Sequence, residues 1–196
     1  GDGPYLFTRM FRESDRRQRR RSRRHFRLLK KVDGTIREIV EPHETVLFLT
    51  GARGFSFWER WVLGWRRAVV LTDRRAIFLQ LDAARRPRLL HRQVPYGAIT
   101  RIEKAWWGRV VLYTRSGDTL GMCGLRGADR AVVMERLGMG AKVTPGADTA
   151  SGIESLCPYC HEGITGRPGS CPRCLRRFRR GWLAALFSLM IPGLGN

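Results

Sequence analysis

Hydrophobic and polar positions divide the chain into regions of different period. Residues Ser14 to Lys31, SDRRQRRRSRRHFRLLKK, are almost wholly basic, with only Phe26, Leu28 and Leu29 to bury. Three apolar side chains cannot make a core, and runs of like charge repel. The segment therefore reads as an arm or exposed helix outside the main fold, with Ser14 as its N-cap and Asp33-Gly34 as a closing turn. From Thr45 the pattern changes to strands. TVLFL (Thr45 to Leu49) is β-branched and apolar, AVVLTDRRAIFLQL (Ala68 to Leu81) reads as two strands around a turn at Thr72 to Arg74, and LLHRQVP leads into AITRIEKA (Ala98 to Ala105). RVVLYTRSGDTLGMCGL predicts a hairpin of Arg109 to Arg115 and Asp118 to Leu125 around Ser116-Gly117. After Gly127 the period is helical: Ala128, Val132 and Leu137 share a face, and Gly138 stops the helix. Six or seven short antiparallel strands followed by one helix predict a mostly β unit, a small barrel or curled sheet plugged by that helix.

FSFWERWVLGW (Phe55 to Trp65) departs from a plain strand. At helical spacing Trp58, Trp61, Val62 and Trp65 share a face flanked by Arg60 and Arg66, a pairing suited to a membrane interface; packing of a second strand into the core accounts for the same residues. Trp106-Trp107 carries the same two readings. KVTPGADTASGIE (Lys142 to Glu154) is rich in small and turn-forming residues and reads as a linker. Five stretches result: a basic arm or helix at 1–43, a β-barrel at 44–140, a linker at 141–155, a cysteine module at 156–178 and a basic-apolar tail at 179–196.

The module contains two Cys-Pro-x-Cys pairs, Cys157/Cys160 and Cys171/Cys174, separated by a loop with Gly166, Pro168 and Gly169. Two such knuckles bring four thiolates to the corners of a tetrahedron around Zn²⁺, so these four cysteines are the expected ligands of one structural zinc. The apolar residues nearby are too few to fold the module by burial alone, and metal binding supplies the stability. Cys157-Pro-Tyr-Cys160 also matches a dithiol redox tetrapeptide, but that chemistry needs a βαβ setting which the pattern lacks. His161 is a bystander, because four sulfurs fill the shell. Cys123, in an alternating apolar stretch, is expected to be a buried, inert thiol.

Charge adds a further expectation. Thirty-seven Lys and Arg against seventeen Asp and Glu give a net +20, which favours polyanionic partners. The excess is nearly all Arg, which codon bias also produces, so function and composition both account for it. Gly1 is followed by no apolar signal-peptide core, so a processed or trimmed chain is expected and secretion is not. No glycine-rich phosphate loop, His-Glu-x-x-His or nucleophile elbow occurs, and His25, His43, His91 and His161 are scattered. No catalytic residue, small-molecule substrate or further cofactor is expected.

VLTDRRAIFL (Val70 to Leu79), VPYGAITRIE (Val94 to Glu103) and GRVVLYTRSGDTL with its closing helix resemble the bacterial pleckstrin-homology-like domains. The resemblance covers roughly Glu44 to Gly140. It implies a split, nearly orthogonal β-barrel with a capping C-terminal helix, serving as an interaction scaffold and not implying a ligand. The cysteine segment resembles the small zinc ribbons of bacterial proteins. SLMIPGLGN (Ser188 to Asn196) resembles the opening of prokaryotic membrane hairpins, with Arg176, Arg177, Arg179 and Arg180 just before it on what would be the inner face. The apolar run of the tail alone is shorter than the roughly 20 residues a span needs. The expectation is a cytoplasmic scaffold, peripheral to or anchored in the inner membrane, whose partner is an anionic lipid surface or a membrane protein. The alternative is a nucleic-acid-binding zinc-ribbon protein.

Overall fold

The structure, a computed structural model, describes residues 4–5, 16–53, 66–81, 87, 90–143, 152–164 and 169–177. It is mostly β. Helix α1 (Arg16–Ile39) precedes seven strands: β1 (Val46–Arg53), β2 (Arg66–Thr72), β3 (Arg75–Leu81), β4 (His91–Pro95), β5 (Ile99–Ala105), β6 (Arg109–Thr114) and β7 (Thr119–Met122). Helix α2 (Gly127–Val143) follows, and then the short strands β8 (Glu154–Leu156) and β9 (Gly163–Ile164).

All neighbours pair antiparallel. One sheet has the order β1-β2-β3-β4-β8-β9, the other β5-β6-β7. The sheets are tied at a corner where Arg53 and Cys123 exchange backbone hydrogen bonds of 2.8 and 3.1 Å.

Both faces of the first sheet are covered, which explains the near-continuous apolar runs of β2 and β3. Ala68, Val70, Ile77, Leu79 and Leu81 face α1 in one core. Val69, Leu71, Ala76 and Phe78 face the other way, into a core shared with Val110, Leu112, Leu120 and Met122 of the second sheet and Val133 and Leu137 of α2. A bulge between Val46 and Phe48 lets Val46 and Leu49 join the first core while Phe48 joins the second.

The basic run does not form an arm outside the fold. Its helix continues through Asp33-Gly34 to Ile39, and so gains Val32, Ile36 and Ile39 to extend the stripe begun by Leu28 and Leu29. Asp33 is held inside the helix by Arg37 one turn on, at 3.0 Å to both carboxylate oxygens, and by the Tyr5 hydroxyl at 2.5 Å. Gly34 has open space around it and costs about 1 kcal/mol relative to alanine, which the docked apolar stripe offsets.

Helix α2 also runs past its expected stop, through Gly138 to Val143. A Cβ at Gly140 would meet the Tyr96 ring at 2.5 to 2.9 Å, so glycine here permits close packing and does not end the helix. Its fully buried positions are Asp129, Val133 and Leu137, one residue round from the expected face: Ala128 is exposed and Val132 half-buried. Cys123 is half-buried, its Sγ 3.6 Å from the Arg53 carbonyl oxygen. Trp106 stands 85% exposed after β5. The aromatic face at Trp58, Trp61 and Trp65 and the tail at 181–196 lie outside the described residues, as do Arg179 and Arg180.

Candidate metal centre

Each Cys-Pro-x-Cys pair folds into the same turn. His161 N–H donates to the Cys157 carbonyl at 3.0 Å, and Leu175 N–H to the Cys171 carbonyl at 3.0 Å. Cys157 N–H donates to the Glu162 carbonyl at 3.0 Å, matched by Cys171 N–H to the Arg176 carbonyl at 2.9 Å. His161 and Leu175 both take the left-handed backbone, with φ of 58° and 57°. Residues 157, 160, 161 and 162 thus correspond to 171, 174, 175 and 176, fourteen positions later. The repetition extends to pairing, since Leu156 opposes Gly163 and Ser170 opposes Arg177.

These turns aim four sulfurs at one point. Cys157 Sγ lies 3.7 Å from Cys174 Sγ, Cys160 Sγ lies 3.5 Å from Cys171 Sγ, and all four fall within 4.8 Å of one another. Tetrahedral zinc with Zn–S bonds of about 2.3 Å would hold its sulfurs about 3.8 Å apart, so the cluster is consistent with a zinc site. Tyr159 N–H points at Cys157 Sγ at 3.5 Å, a donor that stabilises thiolate. Cys157 and Cys171 are wholly buried beside Ile164, with Leu90, Cys160 and Cys174 partly covered.

The electrostatics of the metal-free cluster are divided. Burial pushes the Cys157 thiol up, whereas backbone N–H groups of Cys174 and Arg173 pull Cys171 down. Four sulfurs this close become thiolates together only around a cation. His161 is not one of the four. Its Nε2 lies 3.4 Å from Glu38 Oε2 of α1, and its ring meets His91 edge-on at 6.2 Å between centroids. Burial, reinforced by His161, lowers His91 to about 4, so its imidazole stays neutral at pH 7.

A polar chain links this module to the body of the protein, and its role was hidden in the sequence around the Thr72 to Arg74 turn. The Thr72 hydroxyl accepts from the N–H groups of Arg74 and Arg75 at 3.2 and 3.0 Å and donates to Glu44 Oε1 at 2.6 Å. Asp73 Oδ1 accepts from Thr45 N–H at 3.1 Å. Arg75 grips Glu44 with both arms of its fork, at 3.0 and 2.7 Å, and reaches the Ile39 carbonyl that ends α1 at 3.2 Å. Burial alone would raise the Glu44 carboxyl, but the bonds from Arg75 and Thr72 outweigh it and hold it below its ordinary range. Arg75 then donates to Gln93 Oε1 at 2.6 Å, and Gln93 to Glu154 Oε2 at 2.6 Å. The chain runs from the end of α1, across β3 and β4, to the first strand of the cysteine module.

No family model matches the chain, and no curated protein does. Among solved structures, the C-terminal domain of an unknown protein from Leishmania infantum superposes with a TM-score of 0.39 at 16% identity, covering 57% of this chain and 95% of that one. A likeness of that size carries no argument about function.

Proposed function

We propose that the protein is a non-enzymatic scaffold that sits against an anionic membrane, with a structural zinc ion held by Cys157, Cys160, Cys171 and Cys174. The four strands, three strands and following helix are read as a pleckstrin-homology-like split barrel, and the cysteine module as a zinc ribbon. The observation that carries the membrane reading is the docking of α1. Its apolar stripe is buried, so Arg20, Arg23, Arg27, Lys30 and Lys31 are left exposed on a rigid outward face. Fixed geometry turns a basic run into a flat cationic stripe, and each cation near a charged leaflet adds about 1 kcal/mol.

Two apolar features favour lipid over nucleic acid. Trp106 is 85% exposed, and an indole at that exposure suits the headgroup boundary. The tail WLAALFSLMI (Trp182 to Ile191) adds burial without charge. Among the described residues no helix is long and apolar enough to cross a membrane.

The test is sedimentation with vesicles of phosphatidylglycerol in phosphatidylcholine, beside a duplex DNA titration at two salt concentrations. Glutamine at Arg20, Arg23, Arg27 and Lys30 removes about 4 kcal/mol and should weaken vesicle binding by two to three orders of magnitude. Deleting 181–196 should release the protein from vesicles at moderate salt while leaving DNA affinity unchanged, because that segment contains no cation. Full sedimentation without the tail, or tight sequence-selective DNA binding with vesicles ignored, would replace the membrane reading by the nucleic-acid one.

A further inference from the structure

A cleft of about 310 Å³ opens between α1, the end of β1, the start of β2 and the segment leading into α2. Five guanidinium groups from these four segments line it: Arg24, Arg53, Arg66, Arg67 and Arg126. Among the described residues one carboxylate shares the wall, that of Asp129, which is 2% exposed and already engaged. Its oxygens meet Arg21 at 2.5 Å, Arg24 at 3.3 Å, His25 at 3.4 Å and the Thr50 hydroxyl at 3.0 Å. Asp129 therefore braces α1 against α2 and, among the described residues of the wall, is one carboxylate set against five guanidinium groups.

Gathering like charges costs Coulomb energy that folding has to offset. The strain is visible at Arg24, whose proton is held less firmly because of burial and then because of Arg126 and Arg21 beside it, partly countered by Asp129. Local packing accommodates these side chains. At Gly124, φ is +71°, and a Cβ there would stand 3.4 Å from Arg53 Cγ, so glycine lets the Arg53 stem lie across the turn. Arg67 is buried and donates to the Gly121 carbonyl at 3.0 Å, which sets the position of its fork. The floor is small and apolar, with Leu28, Ala52 and Leu81.

We propose that this cleft binds a phosphomonoester, with the dianionic phosphoryl group among the arginines and a compact substituent over the apolar floor. A dianion with three terminal oxygens accepts several charge-assisted bonds at once, which a single carboxylate cannot. The volume lies at the small end of ligand sites, roughly 300–1,000 Å³, and suits a headgroup-sized molecule. The phosphoryl group comes either from a lipid such as phosphatidic acid or from a soluble phosphate ester. The inference stands apart from the membrane reading, since the free-phosphate arm involves no bilayer.

Calorimetric titration of the full chain with inorganic phosphate and with glycerol 3-phosphate should show one saturable site. Arg66→Gln/Arg126→Gln changes two exposed side chains of the cleft and should weaken both ligands at least about tenfold. Lys104→Gln/Arg115→Gln, with the same loss of charge at exposed positions outside both the cleft and the α1 stripe, should change them less than about twofold. Thermal melts check that both variants are folded. Sedimentation with phosphatidic acid against phosphatidylserine vesicles of equal charge then separates the sources. A preference for phosphatidic acid lost in the cleft variant assigns the lipid, and equal binding of both vesicle types with intact glycerol 3-phosphate binding assigns the soluble ester. The proposal is overturned if neither soluble ligand saturates, if the control variant loses as much as the cleft variant, or if only duplex DNA responds to Arg66 and Arg126.

Discussion

Replacing Ile36 by alanine distinguishes a docked α1 from a solvated one, because the two give opposite signs. Ile36 is 1% exposed in the core formed by α1 and the first sheet, among Val32, Leu49, Val70, Ile77 and Leu79. Alanine removes three buried carbons at about 0.8 kcal/mol each, or roughly 2.4 kcal/mol of transfer energy. The cavity left between helix and sheet raises the loss to about 3–4 kcal/mol, inside the usual range for such truncations. In a solvated helix the same change would be slightly favourable, by a few tenths of a kcal/mol, since alanine is the better helix former. Urea unfolding reads the difference. With an m-value of about 2–3 kcal/mol/M the midpoint should fall by roughly 1–2 M at constant slope. Phe26→Ala is the control: its side chain is 47% exposed on the same helix, and it should cost under about 1 kcal/mol. An Ile36→Ala midpoint equal to or above that of the parent protein would refute the docking of the helix and, with it, the rigid cationic stripe.

Protein purified under reducing conditions should carry about one zinc per chain, and chelation should collapse the amide NMR dispersion of residues 154–177 while the amides of β2 and β3 persist; Cys157→Ser/Cys171→Ser should do the same. Glu44→Gln leaves the half-buried Arg75 with only the exposed Glu41, at 3.5 Å, as a carboxylate partner and should cost about 2–3 kcal/mol in urea unfolding, whereas Glu44→Leu/Arg75→Met should cost less than the two single changes summed. Burial pushes the Asp129 carboxyl up, but His25, Arg21 and Thr50 outweigh it and hold it at about 2 against 3.8 when free. A depressed carboxylate stabilises fully above its unfolded value, so roughly 2 kcal/mol should be lost as pH falls from about 4 through 2. Asp129→Asn should flatten that acid limb in pH-dependent unfolding, and an unchanged limb would remove Asp129 from the account.

How much of this was legible depends on whether the deciding contacts are local. The β2–β3 and β6–β7 hairpins follow from apolar runs closed by Thr72 to Arg74 and by Ser116-Gly117, and the structure has them where the period puts them. The cysteine spacing also translates directly into space, because each knuckle is a turn of a few residues closed by its own backbone bonds. The extent of α1 was not legible in the window ending at Lys31. Its charge masked a stripe that becomes amphipathic only when Val32, Ile36 and Ile39 are counted, and Asp33-Gly34 has turn chemistry that tertiary burial overrides. Arg75 reads only as the first residue of a strand after the Thr72 to Arg74 turn until Glu44, Ile39 and Gln93 are brought around it. The arginine cleft was equally hidden, since its side chains come from positions up to a hundred residues apart.

The attachment of the cysteine module was the least local feature of all, and it changes what the metal would do. A three-residue strand such as β8 has no period to read, yet it pairs with β4 through His91, Arg92 and Gln93 and receives Gln93 through Glu154. Without it, β4 would be an edge strand with unpaired N–H and C=O groups, the feature through which sheets associate wrongly. Four thiolates on one cation would hold β8, β9 and both knuckles as a unit, so a metal bound there would also keep that edge covered. The contact of His161 with Glu38 extends the same cover to α1. A module that folds only with its metal would thus report metal occupancy to the sheet, to α1 and to the cationic surface α1 carries.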